Sequence, residues 1–286
     1  MDSITALFAK SKSRAAVLRK SEKDLIKRAS ALDIRLSKYV LNTLIPTLEL
    51  SSDGKVKNTQ SNLNKINTAS GLNSFVKSVV NKDLQQYYGS QFKDINAATE
   101  DYYGHFSPTG NAKKLIKNRG KATSKGFLQS LFANNMIVMS IQQTLRKGIN
   151  SNQGVSDIKD LLESQIIGKE QKMGLVTSFH YQNGYDDFQA FSRTLDNDYS
   201  KALKLNYAIY QGGEIKTTRD FCEQRAGKVF NRETVLSWNT MEWQGMKENN
   251  DILIDLGGYN CRHDLGWISY ALAKQLDPEI EKSEFD

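Results

Sequence analysis

The segment of residues 214–268 constrains this 286-residue chain more than any other. It holds both cysteines, all three tryptophans and one of the three histidines, His263. The rest of the sequence is rich in Lys, Ser, Asn, Leu and Ala. Because scarce and structurally demanding residue types are concentrated in this segment, it predicts a compact module that follows a longer and plainer region.

The plainer region has the hydrophobic periodicity of helices. Ser21 predicts an N-cap, Asp24 completes an acidic capping box, and one apolar helix face then continues to Pro46. A second helical pattern runs from about Glu170 to Tyr210 and carries an aromatic stripe, which we interpret as packed core. The apolar positions of the first helix are Leu25, Ala29, Leu32, Leu36, Val40 and Leu44.

The module has shorter and mixed elements. Gly227 predicts a tight turn into an extended segment, and Asn231 predicts the cap of a short helix that ends near Trp238. Residues 251–256 alternate enough to predict a strand, and two glycines then turn the chain into the sequence that ends at His263. The sequence therefore predicts a mainly α-helical body with a small C-terminal α+β module.

Composition divides the chain into four parts. Residues 51–74 and 104–126 are rich in polar and turn-forming residues, so we expect basic loops at these places within the body. The four parts are a basic N-terminal arm (1–20), the helical body (21–211), the compact module (214–268) and an acidic C-terminal tail (269–286).

The net positive charge of the chain comes entirely from its first half. Residues 1–125 contain 22 Lys and Arg against 10 Asp and Glu, whereas residues 126–286 contain 17 against 22. The positive electrostatic field of this half favours contact with a phosphate backbone or with an acidic protein surface. Dispersed lysines also keep an ordinary solvent-facing helix soluble, which is the alternative explanation. The candidate DNA contacts are Lys113, Lys114, Lys117, Arg119, Lys121 and Lys125.

No apolar run in the sequence approaches the length of a membrane span. The N-terminal residues also lack the hydrophobic core and the cleavage site of a secretory signal. Two cysteines without such a signal indicate a reducing compartment, where a disulfide is not the default. We therefore expect a soluble intracellular protein that makes no membrane contact.

Cys222, Cys261 and His263 are the candidate soft metal ligands of the sequence. A structural zinc site needs four ligands, usually in paired Cys-x-x-Cys or His-x-x-x-His spacing, and the sequence lacks that spacing. The residues alone therefore predict no metal and no cofactor, with zinc at these three residues as the alternative. Two small buried thiols, or a disulfide formed on oxidation, also explain the cysteines.

Cys222 is also the candidate for a catalytic nucleophile, because nearby basic residues would lower its pKa and His263 could act as its base. No third orienting group is evident, and the motifs of glycosidases, serine hydrolases, metalloproteases and nucleotide-binding loops are absent from the sequence. We expect a structural protein rather than an enzyme, with a charge-assisted network that fixes the loops of the module. The members of that network are Arg219, Asp220, Glu223, Arg225 and Arg262.

Four groups of residues in this segment resemble the C-terminal motif of phage minor head proteins. They are Thr-Arg-Asp-Phe-Cys at 218–222, Arg-Ala-Gly-Lys-Val-Phe at 225–230, Trp238, and Gly-Tyr-Asn-Cys-Arg-His at 258–263. The family is the head-morphogenesis family typified by the phage Mu protein and its relatives in tailed phages of Gram-positive bacteria. The motif residues are Arg219, Asp220, Cys222, Arg225, Gly227, Trp238, Asn260, Cys261, Arg262 and His263.

The sequence departs from the family pattern at its cysteines. Many members have Cys-x-x-Cys in the first half of the motif, or His-Pro-x-Cys-Arg-Cys in the second. In this chain Cys222 has no second cysteine at that spacing. In the second half of the motif, the sequence Tyr-Asn-Cys-Arg-His at 259–263 replaces the family pattern. A set of metal ligands carried over from the family is therefore incomplete in this chain.

The resemblance implies a virion protein, present in few copies in the phage head and made in the bacterial host cytoplasm. Its partners would be the portal protein, the major capsid or other head proteins, and packaged double-stranded DNA. It would act in head assembly, DNA packaging or ejection. The alternatives are a thiol-dependent or nucleic-acid-processing enzyme that uses Cys222 and His263, and a general DNA-binding module.

Overall fold

A computed structural model describes residues 3–132, 135–168, 173–213 and 216–286. Helices account for most of the chain, and a three-stranded antiparallel sheet lies in its C-terminal part. The predicted fold class, a mainly α-helical body with a small C-terminal α+β module, is confirmed. The α-helices are α1 (Ser3–Tyr39), α2 (Gln60–Thr68), α3 (Ser70–Phe75), α4 (Lys82–Gly104), α5 (Gly110–Leu131), α6 (Met136–Asn150), α7 (Val155–Glu163), α8 (Leu175–Leu203), α9 (Asp220–Glu223), α10 (Arg232–Ser237) and α11 (Tyr270–Leu276). The strands are β1 (Tyr207–Gln211), β2 (Val229–Asn231) and β3 (Asp264–Ile268).

The chain forms two compact units, each assembled from segments that are distant in sequence. The mixed unit contains the sheet and consists of Met1–Glu22, Ser90–Phe127 and Tyr185–Asp286. The helical unit consists of Lys23–Gly89 and Leu128–Gly184. These units differ from the four parts expected from composition, because several long helices contribute residues to both.

The helical unit buries the predicted apolar face from Leu25 to Leu44, which lies on α1 and on the π-helical turn (Val40–Leu44) that follows it. Asp33 in the same helix caps the first turn of α8. Its carboxylate accepts hydrogen bonds from the backbone N–H groups of Val176 (2.6 Å) and Thr177 (3.1 Å) and from the Thr177 hydroxyl (2.6 Å). A carboxylate at this position satisfies free N–H groups and complements the helix dipole.

The expected N-terminal arm is wrong over residues 3–20, because α1 begins at Ser3 and continues past residue 20 without a break. Leu7 and Leu18 are buried in the mixed unit. Ser21 lies inside the helix and donates its hydroxyl to the Val17 carbonyl at 3.0 Å, so the predicted N-cap is also wrong. In the sequence, Arg14 resembles any other surface cation. The segment is ordered because Arg14 is buried.

The loop expected at 51–74 is wrong for most of its length, since α2 and α3 occupy residues 60–75. The polar sequence folds because Asn62 is buried and binds backbone. Its side chain accepts from the Glu49 N–H (2.9 Å) and donates to the carbonyls of Glu49 (3.0 Å) and Lys57 (2.8 Å). Ile66 and Leu72 supply the apolar contacts of the two helices.

The loop expected at 104–126 is wrong from Gly110 onward, where α5 begins. Ile116 and Gly120 are the buried residues of this helix. A Cβ at position 120 would lie 2.7 Å from Asn96 Oδ1, so glycine permits a close approach at this point. Tertiary packing thus outweighs the low helix propensity of the glycines in this segment.

The long helix expected up to Tyr210 ends earlier, at Leu203, and Tyr207–Gln211 forms β1 instead. Lys204 adopts a positive φ of 53° and breaks the helix there. The interpretation of the aromatic stripe as core is confirmed by the buried side chains of Phe188 and Phe191. Glu170, the expected start of the helix, lies outside the described residues, as do Glu214 and Ile215 at the start of the expected module.

His180 in the helical unit gives the protein a testable pH dependence. It is buried, its Nδ1 lies 3.1 Å from the Tyr88 hydroxyl, and burial lowers its pKa from 6.5 to about 4. Because the folded pKa is the lower one, the contribution of His180 to stability is present above its unfolded pKa and is lost as the pH falls through the folded value. We expect His180→Gln to remove up to about 3 kcal/mol of this pH dependence, measured by denaturant unfolding at neutral and mildly acidic pH.

The control for this prediction separates burial from hydrogen bonding. Tyr88→Phe removes the hydroxyl partner of His180 and leaves the ring in its apolar surroundings. Since burial is the cause of the lowered pKa, this variant should keep most of the pH dependence. An unfolding free energy with the same pH dependence in His180→Gln as in the wild type would contradict the prediction.

Candidate functional site

The sheet pairs a strand that precedes the 214–268 segment with the strand that ends it. Its strand order is β2–β1–β3, and both outer strands are antiparallel to β1. In the register of β1 and β3, Gln211 pairs with Asp264 and Tyr207 with Ile268. Cys222 lies on α9, after β1, while Cys261 and His263 lie immediately before β3. Strand pairing therefore places these three residues in the same part of the mixed unit.

Cys222, Cys261 and His263 form a buried cluster. The two Sγ atoms are 3.9 Å apart, and Cys261 Sγ is 3.9 Å from His263 Nδ1. The candidate ligand atoms of the three residues all lie within 4.8 Å of one another. Gly257 makes room for the sulfur atoms, since a Cβ at that position would collide with both of them.

The two thiols of this cluster are not equivalent. The pKa of Cys261 is held well below its ordinary value because its sulfur accepts a hydrogen bond from Cys222, and the charge of Arg193 acts in the same direction. The pKa of Cys222 is raised because its proton is held in that hydrogen bond and because the thiol is buried. The charge of Arg193 and the neighbouring His263 therefore favour the thiolate form of Cys261.

Arg193 fixes the backbone around the cluster. This residue of α8 is buried, and its guanidinium donates four hydrogen bonds to backbone carbonyl groups of the mixed unit. Nη1 donates to one pair of carbonyls and Nη2 to the other. The acceptors are the carbonyls of Ile254 (2.9 Å), Asp255 (3.3 Å), Cys261 (2.8 Å) and His263 (2.7 Å).

Sequence reasoning missed Arg193. The available signal was an arginine between Phe191 and Leu195, two positions of the apolar face of α8. Its Nε lies 3.6 Å from Asp264 Oδ1, and that carboxylate offsets its charge. Arginine is almost never fully buried without a partner. An arginine at a position that the helical pattern assigns to the core therefore indicates a buried polar interaction site.

Two motif arginines bind the loops of the module by other means than the predicted ion pairs. Arg219 donates to the Tyr259 carbonyl at 2.6 Å, and its guanidinium packs on Gly245, where a Cβ would collide with it. Arg225 donates to the Phe221 carbonyl at 2.8 Å and lies over the Phe221 ring, 3.9 Å from the centroid. Both side chains therefore tie backbone and aromatic groups together.

The predicted network of these arginines with Asp220 and Glu223 is wrong. Both acids lie in the single turn of α9, and within the described ranges no ion pair joins them to a motif arginine. Arg262 is exposed and lies over the Tyr185 ring, 5.0 Å from its centroid. The arginines thus satisfy carbonyl oxygens and ring faces, which the sequence pattern did not indicate.

Trp238 and Gly227 both contact Tyr210 of β1. Trp238 is buried, with its ring edge-on to Phe230 at 4.9 Å and to Tyr210 at 6.0 Å. Gly227 has φ +77° and donates its N–H to the Tyr210 carbonyl at 2.8 Å, so the predicted tight turn is confirmed. Asn231 caps α10 as predicted, because its side chain accepts from the Thr234 N–H.

The strand expected at 251–256 is wrong. These residues form turns, with Ile252 and Leu256 buried. The N–H of Asp251 donates to Asp255 Oδ2 (3.0 Å), and the N–H of Ile252 donates to Asn239 Oδ1 (2.9 Å). Side-chain oxygens thus satisfy backbone donors that a strand would pair with a neighbouring strand.

A cavity of about 520 Å³ lies beside the cluster. Thr217, Gln244 and Gly245 contribute to its wall. The other motif residues, Asp220, Arg225, Gly227 and Trp238, do not line it. The six motif residues that line the cavity are Arg219, Cys222, Asn260, Cys261, Arg262 and His263.

The candidate DNA contacts all lie on α5 and are exposed. Lys113, Lys117, Lys121 and Lys125 recur at every fourth residue, which places them along one stripe of the helix. Arg119 is engaged with Asp198 at 2.8 Å. These residues do not line the cavity, so the structure separates a basic helix from the cysteine and histidine cluster.

None of the helices in the described part of the chain has the length and hydrophobicity of a membrane span. Comparison with known proteins assigns no family, because no protein-family model, no curated protein and no solved structure matches this chain.

Proposed function

We propose that the protein is a minor head protein of a tailed phage, a structural component of the virion associated with the portal, the capsid and packaged DNA. It acts in head assembly, DNA packaging or ejection and is made in the cytoplasm of a bacterial host. The observation that carries the proposal is the resemblance of residues 214–268 to the C-terminal motif of that family.

The contacts of the motif residues support an architectural role. Arg219 and Arg225 bind carbonyl oxygens and an aromatic ring within the module, Trp238 packs on the sheet, and Gly227 makes the turn into β2. Groups used in this way stabilise loops. They are not arranged as a nucleophile, base and orienting group around a reacting atom, which catalysis requires.

The basic stripe of α5 supports contact with packaged DNA. Four exposed lysines at four-residue spacing present successive positive charges along one helix face. Lysine contacts of this kind bind phosphate without reading sequence and release counterions when they bind. DNA binding by this surface should therefore be independent of sequence and weaken steeply with salt.

We expect replacement of the four stripe lysines by glutamine to weaken binding to double-stranded DNA and to reduce its salt dependence. Each phosphate contact contributes roughly 0.9 to the slope of log K against log salt, so the slope should fall by about 3 to 4. The measurement is fluorescence anisotropy of a labelled duplex over a salt series. The replaced residues are Lys113, Lys117, Lys121 and Lys125.

The matched control has the same change of charge in the helical unit. It replaces four exposed lysines that lie outside α5, and it should leave the salt slope close to that of the wild type. An equal loss of slope in both variants would show that only net charge matters and would contradict a DNA-binding stripe. The control residues are Lys23, Lys27, Lys57 and Lys77.

The partner in the head is tested by co-expression of the full chain with the portal and capsid proteins of the same genome. We expect the chain to co-purify with tagged portal protein and to enter proheads. The variant of the four stripe lysines should retain portal binding, because its changes lie on the proposed DNA surface. A chain that binds neither portal nor proheads would contradict the proposal.

A further inference from the structure

We infer that Cys222, Cys261 and His263 bind one zinc ion, with a fourth coordination position that opens to the adjacent cavity. The inference goes beyond the proposed function and does not depend on it. It rests on the distances within the cluster, on a buried histidine that lines the cavity, and on a glycine that leaves space for two sulfur atoms.

The spacing of the three side chains fits tetrahedral zinc. With Zn–S bonds of about 2.3 Å and Zn–N bonds of about 2.0 Å, tetrahedral angles place the ligand atoms about 3.5 to 3.8 Å apart. The sulfur atoms are 3.9 Å apart, and Cys261 Sγ is 3.9 Å from His263 Nδ1. Since all the candidate ligand atoms lie within 4.8 Å of one another, only small side-chain rotations are needed.

The surroundings hold the ligands in place for a metal. His263 is 3% exposed and lines the cavity, and its Nε2 has no hydrogen-bond partner among the residues that the structure describes. The Tyr210 hydroxyl donates to Cys222 Sγ at 3.2 Å. Arg193 holds the carbonyls of Cys261 and His263. Such outer contacts orient metal ligands and are a usual part of zinc sites.

The donor set selects the metal. Two thiolates and an imidazole suit zinc, whereas magnesium and calcium take oxygen ligands. A disulfide between Cys222 and Cys261 would use the same sulfur atoms, but it would not involve His263 Nδ1, which lies 3.9 Å from Cys261 Sγ. Gly257 is consistent with this choice, because any larger residue there would displace both sulfur atoms.

The number of ligands determines the character of the site. Structural zinc sites are closed by four protein ligands, whereas sites with three keep a position for water or an exchangeable ligand. Here the three ligands line a cavity of about 520 Å³ whose wall also carries Arg219 and Arg262. The open position therefore faces a positively charged surface, and it should accept small anions.

The experiment loads full-length protein, purified anaerobically with reductant, with zinc or with cobalt(II). We expect one zinc per chain by elemental analysis. The cobalt form should show thiolate-to-cobalt charge transfer and the intense visible bands of a tetrahedral site. Addition of azide should shift those bands, because the fourth position is open. Cys261→Ser and Gly257→Ala should each lose the stoichiometric metal, and His105→Gln is the matched control that should retain it.

Three results would overturn the inference. One is a reduced, folded wild-type protein that takes up no stoichiometric zinc or cobalt. Another is X-ray absorption of the zinc form that shows no sulfur neighbours, since the chain has only these two cysteines. The third is a cobalt spectrum that azide leaves unchanged, which would contradict the open position. The wild-type measurements stand even where a variant fails to fold.

Discussion

Replacing Arg193 with methionine should destabilise the mixed unit by about 3 to 5 kcal/mol, the usual cost of breaking a buried charged interaction on one side. The change removes the Arg193 donor from the carbonyls of Ile254, Cys261 and His263, while the Asp255 carbonyl keeps the N–H of Gly258 at 2.9 Å. Each unsatisfied buried acceptor costs roughly 1 to 3 kcal/mol unless it reaches water. We expect the loops around the cysteine and histidine cluster to open first.

Two measurements check this result. Denaturant unfolding gives the loss of stability, and the reaction rate of the two buried thiols with an aromatic disulfide reports local opening. Arg193→Lys keeps the charge but lacks the forked donors, so it should restore only part of the stability. The matched control is Arg146→Met on the exposed face of α6, expected within about 0.5 kcal/mol of the wild type. Unchanged stability and thiol reactivity in Arg193→Met would contradict the role of Arg193.

Replacing Arg14 with alanine should have an effect of similar size. Arg14 Nη2 donates to Asp196 Oδ2 at 2.5 Å and to Ser192 Oγ at 3.2 Å, and the two charged side chains are 4% and 1% exposed. The alanine variant leaves the Asp196 carboxylate buried without its cation, which costs about 3 to 5 kcal/mol. Arg14→Met with Asp196→Leu should lose much less than the sum of the two single variants, as an apolar replacement of the whole pair does.

The same pair predicts a pH dependence. Burial raises the pKa of Asp196 to about 6, although Arg14 opposes the rise. Because the folded pKa is the raised one, the protonated carboxyl favours the folded state, and this contribution is lost as the pH rises through the folded value. Without Arg14 the carboxyl titrates at still higher pH. We therefore expect Arg14→Ala to be more destabilising at about pH 8 than at about pH 5, in unfolding measured at both. Equal losses of unfolding free energy at the two pH values would contradict this prediction.

Periodicity predicted the fold class because long helices bury regular apolar faces. The apolar face from Leu25 to Leu44 and the aromatic stripe of α8 follow directly from spacing and are buried. Gly227 and Asn231 were predicted for a similar reason, since a left-handed turn and an N-cap depend on one residue and its immediate neighbours. Structure that depends on residues close together in the chain can therefore be predicted from a single sequence.

The errors lie where distant residues decide the structure. The N-terminal arm is a helix because Arg14 binds Asp196, far along the chain, and α5 forms because Gly120 packs closely on Asn96. Neither contact leaves a pattern in the sequence. The same holds in the candidate site. The proximity of Cys222 to Cys261 depends on strand pairing. The role of Arg193 depends on carbonyl groups that lie some 60 to 70 positions further along the chain.

The central claim, a structural protein of the phage head, is tested most directly by quantitative mass spectrometry of purified particles and proheads. The particles are assembled from this chain with the portal and capsid proteins of the same genome. The account predicts that the chain is present at a few copies per particle, far below the major capsid protein, and that it is lost from particles assembled without portal. Its absence from both proheads and mature particles would contradict the claim.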